Sequence, residues 1–328
     1  MLVPGAVPGL SETAVSEGRG LRAALRFDSG AWRRFAELGC VYGPEWWKRA
    51  SPPVIAGIIY GIASAQRRAV LANHDVVLGP RSRLQSHWHG YRAFAECARS
   101  MTEGLEQWGP RPRPLDIRTV NGELVERALA EGRGLVVVTG HFGSWEIAAR
   151  VVGRLGRPTS MVTAHEPNPT AREFIHEMRT RHGFNVIYSD RSMFTGLPIL
   201  QALRRHEIVG MQIEPWGPKP GSHEVTFCGR STRVQLGPFA IARVARAPIV
   251  AVFALRTGIR RYELRVTGRF DPTTRAESVA ALESTAAAYE RLVREHPWQW
   301  LMFEEVWREA AADGTGATAR TPRAAGIR

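Results

Sequence analysis

The sequence predicts an α/β fold: a mostly parallel central sheet flanked by helices, preceded by an N-terminal helical segment. Three observations predict it. Apolar, β-branched runs of strand length recur, among them "LVVVT" at 135–139 and "APIVAVFALR" at 247–256; helical patterns separate most of them; and the stretch before residue 110 is helical without intervening strands. Strands buried on both faces read as continuous apolar runs, and their alternation with helices marks a parallel sheet.

The elements follow in order. Residues 1–20 and 309–328 are rich in Gly, Ala, Pro and Thr and lack periodicity, so both read as disordered tails. Residues 21–109 form the helical segment. Inside it "VIAGIIYGIASA" (54–65) is uncharged, with Trp46, Trp47, Lys48 and Arg49 before it and Arg67 and Arg68 after it. A spanning helix needs about 20 apolar residues, so this run is too short to cross a bilayer. It reads either as a buried core helix or as a segment dipping into the membrane interface with an aromatic and basic collar. "RRAVLANHDVVL" and "WHGYRAFAECARSMTEGLEQW" are helical, split by Gly79 and Pro80.

Residues 110–308 form the α/β domain. A Pro-rich connector and a first strand fill 110–123. "GELVERALAEGRG" is a helix closed by glycine, 135–139 a strand, "SWEIAARVVGRLG" a helix and "PTSMVTA" a strand. Helix 169–182, strand "FNVIYS", helix 196–205, strand "EIVGMQI", a loop, helix 237–245 and strands "APIVAVFALR" and "YELRVTG" come next. Helix 275–295 then leads into the aromatic "HPWQWLMFEEVW".

The formal charge is +13, and apart from Lys48 and Lys219 every basic side chain behind it is arginine. That balance favours an anionic partner: nucleic acid, an acidic protein or an anionic membrane surface. Cys40, Cys97 and Cys228 are far apart and have neither CxxC spacing nor histidines at metal-ligand spacing, which points to a reducing compartment without structural zinc. No basic region followed by an apolar one opens the chain, so no signal peptide is expected.

The chemistry concentrates at "GLVVVTGHFGSWEIAARVV" (134–152). His141 follows a strand across Gly140, Ser144 is placed to cap the next helix, and Glu146 falls in that helix's first turn. Working groups in such sheets sit beyond the carboxyl ends of the strands. Glycines at 140 and 143 permit a tight turn and close approach of a substrate to the backbone. A neutral imidazole held by a carboxylate is a general base for a hydroxyl, with backbone amides left over for an oxyanion. Spacing alone proves little: ten histidines and 31 acids should give about one such pair by chance. The placement after a strand, between glycines and at a helix start is what counts.

"GHFGSWE" after "LVVVT" resembles the H-x4-[DE] motif of the bacterial late acyltransferases of lipid A biosynthesis, the lauroyl/myristoyl type, related to phosphatidylinositol mannoside acyltransferases. Further blocks agree in order: "RRAVLANHDVVLG", "EPNPTAREFIHEMRTRHGFNVI", "GMQIEPWG", "VTFCGRSTRVQLGPFAIARVARAPIVAVFALR" and "HPWQWLMFEEVW", spanning roughly 45–308. The resemblance implies His141 as general base and Glu146 as the group that orients it. It makes Glu214 a further active-site carboxylate, an alternative partner for His141. It implies that Arg179 binds a phosphate or the pantetheine arm of the donor, that Phe227, Gly229 and Gly237 shape the wall of an acyl groove, and that Ser144 belongs to the substrate site.

By the same resemblance the chain moves a fatty acyl chain from an acyl carrier protein or CoA thioester to a hydroxyl of a membrane glycolipid or phospholipid. Amides near 142–145 or an arginine would steady the oxyanion, and no metal or resident cofactor is needed. The acceptor is the membrane lipid, and the enzyme works as a peripheral or monotopic protein on the cytoplasmic face of the inner membrane, its N-terminal segment associating with that anionic surface. The alternatives are a different acceptor (a phosphoinositide mannoside, an ornithine-type lipid, a secondary metabolite) or a non-catalytic lipid-binding relative. Nucleic-acid binding has only the charge behind it. The sequence departs from the family at Gln212, where an acid is usual, at Pro215 and Trp216, and in its shorter apolar segment.

Other groups read as ordinary structure. His165, beside Glu166 and Pro167, is a loop histidine; His87 and His89, flanking Trp88, are interface or surface groups rather than ligands; Glu304 and Glu305 are a solvated face. Trp298, Trp300, Phe303 and Trp307 are core. Arg204, Arg205, Arg230, Arg233, Arg243 and Arg246 fall around the carboxyl side of the sheet or on helix 237–246, either as solvated surface or together as a basic rim for an acidic carrier or lipid phosphate.

Overall fold

The computed structural model describes residues 37–110, 112–164, 168–189, 196–214 and 221–307. Both tails, His165, Glu166, Pro167, Pro215, Trp216 and Lys219 lie outside the described residues.

After a helical stretch at 37–42, three helices build a layer in front of the sheet: α1 (Glu45–Ile62), α2 (Ser64–Leu78) and α3 (Arg83–Trp108). α1 and α2 meet at a 98° bend, and Arg67 Nη1 closes the carbonyl end of α1 by donating to Tyr60 O and Gly61 O. α3 starts in a capping box in which the Ser82 hydroxyl takes the Gln85 amide while the Gln85 side chain returns to Ser82. α1 packs on α3 through Tyr60 edge-on to Phe94 and Tyr91 OH donating to Pro53 O at 3.1 Å. Its other side stays open: Val54, Ile58 and Ile62 are each more than half exposed. The 54–65 run is therefore not a buried core helix, because only one of its faces finds a partner among the described residues.

The sheet strands are β1 (Asp116–Val120), β2 (Leu135–Thr139), β3 (Thr159–Ala164), β4 (Phe184–Ser189), β5 (Ile208–Gln212), β8 (Ile249–Gly258) and β9 (Arg261–Phe270). They run in the order β1-β9-β8-β2-β5-β3-β4. β8, β2, β5, β3 and β4 are parallel, whereas β9 folds back antiparallel on β8 and carries β1 parallel to itself. The mostly parallel α/β sheet is as expected; β9 reverses because Arg260, at φ 53°, turns the chain within a two-residue connection. Helices α4 (Glu123–Ala130), α5 (Trp145–Val152), α6 (Pro169–Thr180), α7 (Gly196–Arg204) and α8 (Gly237–Ala245) connect the strands, and α9 (Arg275–Glu295) leads into a 3-10 turn at Pro297–Gln299.

One expectation needs correction. The stretch read as a loop before α8 holds an antiparallel hairpin, β6 (Ser222–Phe227) and β7 (Arg230–Gln235). Cys228 and Gly229 form its two-residue turn with φ of 55° and 79°, the left-handed pair that such hairpins require. Val225, Phe227 and Val234 turn into the core, an alternation visible in the sequence but masked by the polar residues between them.

The helical layer is locked to the β8–β9 ribbon by buried charge. Arg260 bonds Glu106 and Glu45; Arg256 bonds Glu103 and Glu96; Tyr262 OH donates to Glu103 at 2.6 Å and Lys48 to Glu106 at 2.8 Å. Removing one partner from such a group leaves an uncompensated buried charge, costing about 3–5 kcal/mol.

Candidate active site

His141 stands just past the carboxyl end of β2, in a loop fixed by its own backbone. Gly143 adopts φ 56°, and a Cβ there would sit 1.8 Å from Ala254 O; a Cβ at Gly140 would strike the Tyr289 ring at 2.7 Å. These glycines serve close packing of the loop on β8 and α9, not the approach of a substrate. The amides are committed as well: Phe142 N–H donates to Gly140 O at 2.8 Å, Gly143 N–H to Gln299 O at 2.8 Å and Ser144 N–H to Ala254 O at 3.0 Å. Leu301 N–H donates back to His141 O at 2.7 Å. The expectation of an oxyanion hole from amides near 142–145 thus fails for 142–144, which are spent on holding the loop.

The carboxylate that meets the ring is Glu214. Its Oε2 accepts the His141 N–H at 3.0 Å and also bonds Nδ1 of the ring, while Oε1 accepts Tyr289 OH at 2.9 Å. Only 2 % of the Glu214 side chain is exposed. Burial would lower the pKa of His141, but Glu214, aided by Glu304, outweighs it and holds the ring above its ordinary 6.5. Burial would raise Glu214; His141 and Tyr289 outweigh that in turn and keep the carboxylate below its ordinary 4.5. With Nδ1–H given to Glu214, Nε2 carries the lone pair, and Gln212 places its side-chain nitrogen 3.3 Å from it.

Glu146 has other company. Its Oε2 accepts Trp108 Nε1–H at 2.9 Å, Oε1 accepts Trp145 Nε1–H at 3.2 Å, and Arg179 Nη2 lies 3.6 Å away. The orienting role expected of Glu146 belongs geometrically to Glu214. Ser144 occupies the N-cap position of α5 but makes no side-chain cap, and it is buried. Arg179 is buried, and its Nε and Nη1 have no partner among the described residues.

His141, Gln212, Trp145 and Arg179 share one cleft of about 190 Å³ between α5 and one face of the sheet, narrower than the about 300–1,000 Å³ usual for ligand pockets. Val137, Ala148, Val152, Met161, Phe184 and Val252 continue it as an apolar slot. Phe227, Gly229 and Gly237 do not reach it. Phe227 packs with Val138 on the opposite face of the sheet, against Tyr289 and Trp300, and α8 lies on that side too. Successive strand residues point to opposite faces, so Val137 and Val138 define two separate compartments.

The expected basic rim is corrected as well. Arg204 and Arg205 end α7, and Arg243 and Arg246 end α8, so they sit at the amino ends of β5 and β8, away from His141. A helix connecting parallel strands runs back along the sheet, which carries its C-terminus to the end opposite the site. Arg233 is held by Ser222 and Glu224 on the hairpin. Gln212 is the site residue that the sequence undervalued; its place at the end of β5, beside the end of β2, was the available signal.

Comparison with known proteins adds two findings. The family model described as bacterial lipid A biosynthesis acyltransferase matches residues 42–309. Two proteins named phosphatidylinositol mannoside acyltransferase, from Mycobacterium tuberculosis strains CDC 1551 / Oshkosh and ATCC 25618 / H37Rv, are similar to this chain. They are 26% identical over 212 residues and 27% identical over 214 residues, in each case 64% of this chain and 66% of the relative. The chain thus spans slightly under two thirds of the length of these relatives.

Proposed function

Because the chain belongs to the bacterial lipid A biosynthesis acyltransferase family, we propose that it transfers a fatty acyl chain from an acyl carrier protein or CoA thioester to a hydroxyl of a membrane glycolipid or phospholipid. The observation that carries this reading is the His141–Glu214 pair at the end of an apolar slot. His141 Nε2 takes the proton of the acceptor hydroxyl as its oxygen attacks the thioester carbonyl carbon. Glu214 holds the imidazolium that forms. The tetrahedral oxyanion collapses, the C–S bond breaks, and the imidazolium returns its proton to the leaving thiolate.

With the amides of 142–144 committed, the Gln212 amide and the Arg179 guanidinium, both lining the cleft, would steady the oxyanion. The acyl chain occupies the slot lined by Val137, Ala148 and Val152. The reaction needs no metal and no resident cofactor. The names of the mycobacterial relatives favour a phosphoinositide mannoside as the acceptor within this class.

The same reading places the chain on the cytoplasmic face of the inner membrane. No single described helix is long and apolar enough to cross a bilayer, but α1 presents Trp46, Val54, Ile58 and Ile62 to the outside. Apolar and aromatic side chains flanked by arginine suit an interfacial helix. Mass spectrometry of lipids from a host with the wild-type or the His141→Ala protein tests the proposal. A lipid lacking one acyl chain in the variant supports it; identical lipid profiles sink it.

A further inference from the structure

Away from the cleft, two arginines and two histidines gather where the end of α2, the start of α3 and the segment after α9 meet. Arg81 precedes α3, and His89 and Arg92 lie in its first turns. Arg92 lies over Trp298, its guanidinium carbon 3.6 Å from the ring centroid. His74, near the end of α2, bonds Pro297 O through Nε2 at 3.0 Å. Burial, with help from Arg81, lowers His74 to about 4, so it is neutral; burial, then Arg81 and Arg92, also hold His89 below its ordinary value.

The charge here is not balanced. Asp75 takes Arg81 Nη2 at 3.0 Å, from a position more than half exposed. Arg81 Nε and Nη1 and His89 Nδ1 are buried and have no hydrogen-bond partner among the described residues. Burying such groups unanswered is costly, and acceptor oxygens would relieve the cost. Arg256, on β8, and Arg260, in the β8–β9 turn, face the same helical layer and are each answered by two glutamates. Among the described residues, Arg81 and Arg92 together have the one aspartate.

The cluster also borders apolar surface. Trp88, one turn before Arg92, and Leu84, one turn before that, are both more than half exposed. Trp88 rests on Tyr91, which is tied to α1 at Pro53, so the apolar exteriors of α1 and α3 adjoin. A soluble anion has no use for that neighbourhood, whereas a lipid supplies a phosphate and apolar contact together.

We propose that Arg81, His89 and Arg92 bind the phosphate of an anionic membrane lipid at a site separate from the cleft, orienting the chain on the bilayer. The proposal rests on the reading that the outer faces of α1 and α3 meet a membrane. Co-sedimentation of the full chain with phosphatidylcholine vesicles, and with the same vesicles doped with phosphatidic acid, tests it. Arg81→Gln and Arg92→Gln should each weaken binding to the doped vesicles about fivefold. Binding to neutral vesicles should not change, which also shows that the variants are folded.

Doped-vesicle binding that survives the double variant overturns the proposal alone. Release of the wild-type chain from doped vesicles by inorganic phosphate makes the ligand a free anion and overturns it too. A wild-type chain that ignores both kinds of vesicle overturns the membrane reading and the proposal with it.

Discussion

Glu214 Oε2 receives both hydrogen bonds that His141 directs toward it, from the backbone N–H at 3.0 Å and from ring Nδ1. That double attachment fixes ring position and tautomer at once and leaves Nε2 as the base. Glu214→Gln should therefore lower kcat by about 10²–10⁴-fold, because an amide in that place can donate to Nδ1 and turn the wrong tautomer toward the substrate. Glu146→Gln should cost less than tenfold, since its bonds run to Trp108 and Trp145. Steady-state rates of the two variants separate the roles; equal losses would return Glu146 to the dyad.

The pH profile follows from the same pair. Only neutral His141 is a base, and Glu214 holds its pKa above 6.5. The acid limb of kcat/KM should then fall above that value, and it should move down in Glu214→Gln, where only Glu304 is left to oppose burial. Stability carries the matching signature. The raised His141 stabilises below its ordinary 6.5 and loses this as pH rises through its folded value; the depressed Glu214 stabilises above its ordinary 4.5 and loses this as pH falls. Urea midpoints of wild type minus Glu214→Gln should peak between these two pH values and shrink on either side.

Gly143→Ala tests the loop rather than the chemistry. A left-handed φ of 56° and a Cβ 1.8 Å from Ala254 O leave no room for the methyl group. Strain of about 1–3 kcal/mol from the backbone alone is expected, plus the cost of moving β8 or releasing the loop. Urea denaturation should show the loss, and activity should fall with it because His141 rides on the same loop. A variant of wild-type stability would mean that the loop is not held as described.

The strand-turn-helix around His141 was legible because it is local: a β-branched run, two glycines and a helical period within 19 residues. Pairing His141 with Glu214 instead of Glu146 was not, since it depends on β2 and β5 being neighbours, which only the sheet order reveals. Phe227, Gly229 and Gly237 were misplaced for a related reason. A sequence block that matches a family does not tell which face of the sheet it covers, and one residue of register separates the slot at Val137 from the core at Val138. The arginines ending α7 and α8 were misplaced because the direction of those helices follows from topology. The fold class was readable from the alternation of elements, while hairpin β6–β7 was hidden by polar residues on its exposed face.

Arg179→Met should raise KM for a phosphate-bearing donor more than it lowers kcat. The guanidinium lies on the cleft with Nε and Nη1 unanswered, so its value is realised when an anion or carbonyl oxygen arrives. Stability should change little, because removing an unsatisfied buried cation relieves a cost while Glu146 keeps its two tryptophan donors. A melting temperature within about 2–4 °C of wild type, together with a raised KM, fits this account. A large loss of stability with unchanged KM would make Arg179 a structural residue.

Val152 lines the slot from the last turn of α5, next to Gly153, where a Cβ would come within 2.3 Å of the Phe184 ring. α5 and β4 are therefore already in contact where the slot passes between them, and added bulk there must project into the slot or strain the core. Val152→Phe should shorten the acyl chain accepted, and overpacking should cost about 1–3 kcal/mol if the ring does not fit. Ala148→Val acts nearer to His141 and should lower the rate with every chain length. Competition assays with a series of thioesters, read by mass spectrometry of the products, distinguish the two effects. If Val152→Phe leaves the order of preference untouched, the acyl chain does not lie in this slot, and the His141–Glu214 pair serves a donor that approaches from the other side.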